Sequence, residues 1–441
     1  MAVKIEFASK GPKRASKSLA AFVFFGVICS GLVFGAELNV GPAQTFQTIG
    51  EALTKAQPGD TILVHPLPQN QPYEKVALLI RQPNLTIRAV QDVSGRRVRL
   101  SGTGFDYSGN GPVPRAIVQF DPAAHDGTLD GFELSGAHNG SFNGAGVRIN
   151  QANNILVTHC EIYDNDMGIM SNGSVLASPP SGDHQRIEDC LIHHNGAVAD
   201  PGYNHNLYLG GTSVTLFDCE VHSSTTGHNV KSRAHITRVI DCYIHDAAAR
   251  ELDLVDEAGN TERPGSDALL LGNVIVKAKS NTENRTVIHF GQDVGHDRDG
   301  TLYLVHNTIV TSFLSPVMDL SAPHVRARLT DNLIWDGGSG QQRQVLVKNR
   351  TGSQASDLVT GQDNFFCGGF GPQGTLGGSV SWGEPPSFVA PERGDYHLRK
   401  SDSRLCGWAG SLHDAQIPPE LLSGLGDRPD NPDIGAFPFK P

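Results

Sequence analysis

The phrase HCEIYDN at residues 159–165 returns as DCLIHHN (189–195), DCEVHSS (218–224) and DCYIHDA (241–247). It continues as GNVIVKA (272–278), HNTIVTS (306–312) and DNLIWDG (331–337). The second residues of these phrases, Cys160, Cys190, Cys219, Cys242, Asn273, Asn307 and Asn332, are spaced 30, 29, 23, 31, 34 and 25 residues apart. Each interval holds two or three strand-length apolar runs with turn residues between them, and nothing of helical period. Such a unit cannot bury its own apolar face. Stacked units can, with backbone hydrogen bonds passing from coil to coil. The predicted fold is therefore all-β, a single parallel β-helix, in which one position per coil forms a column with rungs about 4.8 Å apart. Cys suits such a column as a small buried hydrophobe, and Asn as an amide bonding along the turn. Four cysteines at one repeat position predict a ladder of free thiols, although disulfides are the usual reading in an exported chain. Cys367 and Cys406 stand outside that ladder and are left as a candidate pair.

The rest of the chain agrees. Its 441 residues suffice for two ordinary domains or one elongated one. Fifty glycines against 7% aromatic residues suit many short strands and tight turns better than a helical bundle. At the N-terminus Lys4, Lys10, Lys13, Arg14 and Lys17 precede the uncharged run LAAFVFFGVICSGLVFG (19–35). A basic region, an apolar stretch and a small residue at Gly35 or Ala36 predict an export signal over 1–36. The mature domain would then be 37–441, periplasmic or extracellular, without stable membrane insertion. Losing that segment removes five basic residues and one acidic one, taking the formal charge from −11 to −15. A nucleic-acid partner, which calls for a basic footprint, is not expected. A monomer that meets a polysaccharide is, and an anionic chain would be held through a local basic patch or a bridging cation.

At this point the chain resembles a known superfamily. GPAQTFQTIGEALTKAQPGDTILVHP (41–66) resembles the opening of the right-handed parallel β-helix, or pectin-lyase-like, proteins, where an amphipathic helix caps the coil and a Gly-Asp turn starts the first strand. DYHLRKSDSRLCGWAG (395–410) and DIGAFPF (433–439) resemble the closing phrases of many of them. The resemblance implies fold. The superfamily holds lyases, hydrolases, epimerases and binding proteins, so function has to come from the residues.

Strand alternation places those residues. Aligning the apolar centres Val147, Ile169, Leu207, Val230, Leu252, Ile288 and Met318 and pointing them inward sends the next residue of each coil outward. That outward column reads Arg148, Met170, Tyr208, Lys231, Asp253, His289, Asp319. Arg233 lies two residues beyond Lys231, and Asn206, Asn229 and Glu251 lie two residues before the column on neighbouring coils. Paired charges on a solvated strand face would look the same and stabilise little, about 0–1 kcal/mol a pair. As a functional strip, its catalytic candidates are Lys231, Arg233, Tyr208, Asp253 and His289, with Arg148, Asn206, Asn229, Glu251 and Asp319 as substrate-binding candidates.

Three chemistries fit. A lyase acting on a uronate chain by β-elimination needs positive charge for the substrate carboxylate, a base, and an acid for the leaving oxygen. Lys231 or Tyr208 offers the base, and Arg233 a bidentate partner for the uronate. The Lys-Ser of NVKSR (229–233) is similar to that of alginate-lyase and chondroitinase-B-type β-helix enzymes, a resemblance that implies a lysine base. A glycoside hydrolase would instead use Glu251 and Asp253 as two carboxyl groups on one strand face. A carbohydrate-binding β-helix without catalysis would hold an anionic or acetylated chain, since Tyr208 is the column's one aromatic. No cofactor is required by these readings. Ca²⁺ is an option through the carboxylates of GHDRDG (295–300), which match no defined calcium loop. The segments DEAGNTERPGSD (256–267) and GQDVGHDRDG (291–300), the second of which contains GHDRDG, read as surface loops beside the strip. His205 and His228 share a register and read as structural.

Overall fold

The structure is a computed structural model. It describes residues 35–91, 95–109, 113–277, 283–313, 315–340, 344–353, 358–370, 376, 380–412, 415–425 and 431–438. The predicted export signal, residues 1–36, lies outside these except for its last two positions. Among the described residues no helix is long and apolar enough to cross a membrane.

Among the described residues three parallel sheets run the length of the domain, with 12, 11 and 10 strands. Between Thr86 and Asn349 each coil adds one strand to each sheet, so neighbours in a sheet are a full coil apart in sequence. The first sheet runs from Glu37–Val40 to Val359–Gln362, the second from Val98–Ser101 to Val380–Gly383, and the third from Leu78–Ile80 to Val347–Asn349. This is the parallel β-helix that the repeat predicts. A short helix, Ile49–Leu53, turns Ile49 and Ala52 into the core at the N-terminal end. Thr48 and Glu51 close its first turn as a reciprocal capping box.

One apolar column fills the interior from Val40 to Leu376. Cys160, Cys190, Cys219 and Cys242 stand in or against it as buried free thiols. Where the cysteines end, asparagines take over. Asn273 Nδ2 donates to Asn307 Oδ1 (2.9 Å), Asn307 Nδ2 to Asn332 Oδ1 (2.9 Å), and Asn332 Nδ2 to Asn364 Oδ1 (2.9 Å). Each amide also bonds backbone, so a buried polar ladder is satisfied from coil to coil. Cys367 and Cys406 do not pair: both are free thiols in a separate C-terminal apolar cluster.

A second buried ladder corrects the sequence reading. It runs Asn165, Asn195, Asn206, Asn229, Glu251, with amide-to-oxygen distances of 3.0, 3.0, 2.8 and 2.7 Å. Lys277 ends it, its Nζ 3.3 Å from Glu251 Oε1. Asn206, Asn229 and Glu251 are 0% exposed. They sit in the turn before their strands, where the backbone bends and strict alternation does not apply, so their side chains point inward and cannot reach a ligand on the third sheet. Burial raises the Glu251 carboxyl above its ordinary range, against the pull of Lys277.

Candidate active site

The outer face of the third sheet carries the predicted column in full. Arg148 lies beside Met170, Met170 beside Tyr208, Tyr208 beside Lys231 and Lys231 beside Asp253. Asp253 lies beside His289, and His289 beside Asp319. Gln119 extends it at one end and Lys348 at the other. Pointing outward did not leave these groups exposed. Lys231 is 7% exposed, His289 2% and Asp253 0%, because flanking residues and the segment after Gly291 close over the middle rungs.

Asp253 is the hub. Its Oδ1 accepts from Arg250 Nη1 (2.8 Å) and lies 2.8 Å from His289 Nδ1. Its Oδ2 sits 3.0 Å from Lys231 Nζ and 3.3 Å from His228 Nε2, without hydrogen-bond alignment to either. Burial opposes its charge, but His228, His289 and Lys231 outweigh that and hold Asp253 well below the usual carboxylate range. Buried this way, Asp253 positions its neighbours and cannot itself touch a polymer.

Arg233 makes the second cluster. Its Nε donates to Tyr208 Oη (2.9 Å), its Nη2 to Asp293 Oδ2 (2.6 Å), and its Nη1 to the Asp256 carbonyl. The same Asp293 oxygen accepts from Lys231 Nζ at 2.8 Å. One carboxylate oxygen therefore bridges the two cations that the Lys-x-Arg spacing set side by side. Asp293 is held there by Asp256, whose carboxylate accepts from the backbone N–H groups of Asp293, Val294 and His296 at 2.6, 3.0 and 2.6 Å. Tyr208 is half-buried, with Met170 packed beside it in a small apolar cluster. His205 stacks on the Tyr208 ring (5.7 Å between centroids), and His228 on His205 (4.9 Å). Gly227 makes that stack possible: at φ +65, any Cβ there would fall 2.5 Å from His205 Nδ1.

Toward the C-terminal rungs, Arg350 grips Asp319 with Nε (2.8 Å) and Nη2 (3.1 Å), and the Nη2 also lies 3.3 Å from His289 Nε2. Ser321 Oγ lies 2.7 Å from the same imidazole nitrogen. At the other end Arg148 Nη1 meets Met170 Sδ at 3.1 Å. The column's members are thus brought together, while Asn206, Asn229 and Glu251 are not. That separation also breaks the pairing of Glu251 with Asp253 on which hydrolysis depended, since one lies in the core ladder and the other under the strip.

Sequence reasoning missed Arg250, Asp256, Asp293, Ser321 and Arg350. Asp256 and Asp293 fall in the two segments read as surface loops, and Arg298, in the second of these, is a fully buried anchor donating to Val255 O (3.0 Å) and Ser266 O (3.1 Å). Four acidic residues in 256–267 and three in 291–300, each set with a single arginine, were the available signal. In GHDRDG, Asp297 turns to His324 Nδ1 (2.5 Å). Among the described residues no three His, Cys, Asp or Glu side chains converge as they would around a metal ion.

The histidines give a pH prediction. Burial lowers His228 from 6.5 to about 4, against the attraction of Asp253, and holds His205 well below its ordinary value. The fold favours their neutral forms, so that contribution is present above about 6.5 and lost as pH falls toward 4. His245, on the second sheet, runs the other way: burial disfavours its charge, yet Asp246 and Glu220 outweigh it and raise it to about 9. Its contribution is complete below 6.5 and lost as pH rises through about 9. Thermal midpoints across this range should peak near pH 6.5. A midpoint unchanged between pH 6.5 and 4 would contradict the buried neutral stack.

No protein-family model and no curated protein matches the chain. Solved structures do. The pectate lyase Pel9A matches 92% of this chain and 96% of its own, with a TM-score of 0.50 and 12% identity. The fold is the pectin-lyase-like right-handed parallel β-helix. A pectin methylesterase from Aspergillus niger matches 64% of this chain and 87% of its own (TM-score 0.38, 14% identity). A DFA-IIIase from Arthrobacter chlorophenolicus A6 matches 80% and 99% (TM-score 0.37, 11% identity). At such identities the pectin-lyase-like likeness is one of architecture, and the chemistry rests on the strip.

Proposed function

We propose that this protein is a carbohydrate-active enzyme, a lyase that cleaves a uronate-containing polysaccharide by β-elimination on the outer face of the third sheet. The observation that carries the reading is the bridging carboxylate: Asp293 Oδ2 between Lys231 Nζ and Arg233 Nη2, with the Tyr208 hydroxyl on the other side of the same guanidinium. A substrate uronate that displaces Asp293 would be held by the same two cations. Positive charge there stabilises the enolate-like state that forms when the proton beside the carboxylate leaves. Tyr208, as the phenolate beside the Arg233 guanidinium, is the proton acceptor because it is the more open of the two candidates, and as the phenol it then returns that proton to the leaving glycosidic oxygen. Lys231 is occupied by two carboxylates and serves to hold the uronate. Arg148 lies farther along the groove for a neighbouring sugar. The basic and apolar segment 1–36 supports an exported location, periplasmic or extracellular.

The test is ultraviolet absorbance of new unsaturated ends on purified protein offered a panel of uronate polysaccharides, with and without Ca²⁺. Signal that vanishes in Lys231→Ala supports the lyase. New reducing ends without absorbance would replace it by hydrolysis, and retention of a polysaccharide with neither would leave a binding protein. The reading also sets an expectation for Asp293, which must vacate the subsite before substrate enters, so that only the open fraction binds. Asp293→Asn should lower KM about tenfold with kcat nearly unchanged. A raised KM would mean that Asp293 contacts substrate instead of competing with it.

A further inference from the structure

Ser321, His289 and Asp253 form a hydrogen-bonded relay that the elimination reading does not use. Asp253 Oδ1 lies 2.8 Å from His289 Nδ1, and His289 Nε2 lies 2.7 Å from Ser321 Oγ. The tautomer follows from the neighbours. Asp253 is an ionised acceptor, so Nδ1 carries the proton. Arg350 Nη2, which can only donate, faces Nε2 at 3.3 Å, so Nε2 is the acceptor. The Ser321 hydroxyl can then donate to it. A hydroxyl bonded to a basic imidazole nitrogen, with the other nitrogen oriented by a buried carboxylate, is the arrangement that makes serine a nucleophile.

The surroundings fit the same purpose. Ser321 follows the strand Met318–Leu320 on the outer side, two residues past Asp319, under the exposed segment 292–296. Gly291 beside it has φ +139, and a Cβ there would come within 2.6 Å of Ser321 Oγ, so only glycine leaves the hydroxyl its place. Ser321 Oγ also accepts from Gln292 N–H (2.7 Å) and lies 3.3 Å from Gln292 O, a carbonyl that competes for the hydroxyl proton. Arg350, fixed by Asp319 and with 43% of its side chain exposed, supplies positive charge where an oxyanion would form.

We propose that Ser321 is the nucleophile of a second activity, hydrolysis of a carboxylic ester carried by a sugar chain, with His289 as general base and Asp253 as positioning residue. Ser321 Oγ bonds to the ester carbonyl carbon as its proton passes to His289 Nε2. The carbon–oxygen bond to the alcohol breaks, and the departing oxygen takes that proton. Water then repeats the sequence, releasing the acid and restoring the serine. The ester is either an acyl group on a ring hydroxyl or an alkyl ester of a uronate. Acetate release and methanol release from the matching esterified polysaccharides separate the two. This activity does not depend on the lyase reading, whose Tyr208, Lys231 and Arg233 it leaves free.

The test treats the full-length protein with a fluorophosphonate probe, maps the adduct by peptide mass spectrometry, and measures p-nitrophenyl acetate hydrolysis. A covalent adduct on Ser321 is expected, with hydrolysis about 10³-fold lower in Ser321→Ala. Labelling of the unmodified protein needs no variant to fold, and a merely structural serine would not label. Absence of an adduct at Ser321, or a Ser321→Ala protein that hydrolyses the ester at the original rate, would overturn the proposal, whatever the elimination assay shows.

Discussion

Tyr208→Phe should lower kcat for chain cleavage by about 10²–10⁴-fold, the usual worth of a positioned acid–base group. The substitution removes one hydroxyl from a half-buried ring and leaves the His205 stack in place. Arg233 loses one acceptor but keeps Asp293 and the Asp256 carbonyl, so the carboxylate subsite survives. KM should therefore change little, which separates this variant from Lys231→Ala, where loss of a cation from the bridge should raise KM as well. Initial rates of unsaturated-end formation over a range of substrate concentration make the distinction. If Tyr208→Phe keeps most of its kcat, the proton goes elsewhere, and Lys231 becomes the base to test.

Asp253→Asn should be the most destabilising single change in the strip, by about 3–5 kcal/mol. The carboxylate faces Lys231, Arg250, His228 and His289, and it is wholly buried. An amide of the same shape removes the charge and leaves the buried Lys231 and the part-buried Arg250 each one partner short. Denaturant unfolding measures the effect, with a lower midpoint at unchanged slope if the folded architecture is retained. An unfolding curve that matches the original would mean that Asp293 and bulk solvent already neutralise Lys231 and Arg250. Acid should act in the same direction: with its carboxyl held below the usual range, Asp253 contributes stability above about 3.8 that is lost as pH falls further.

Much of this molecule can be read from its residues, and the limits of that reading are physical. The Cys-to-Asn phrase sets the length of each coil, and because a parallel ladder pairs equivalent positions of successive coils, aligning Val147 through Met318 sufficed to place Arg148, Met170, Tyr208, Lys231, Asp253, His289 and Asp319 on adjoining rungs. That argument uses only backbone periodicity within strands. It failed at Asn206, Asn229 and Glu251, which occupy turns, where the chain bends through a corner and the inside-outside alternation restarts. Burial was likewise beyond it, since an outward direction says nothing of what folds over the top. Asp293 reaches Lys231 across 62 residues of sequence, and Arg350 reaches His289 across 61. Local sequence dictated the coil and its register through short-range backbone geometry, whereas the charge partners, the buried hub and the Ser321 relay were decided only when long-range packing brought distant loops onto one face.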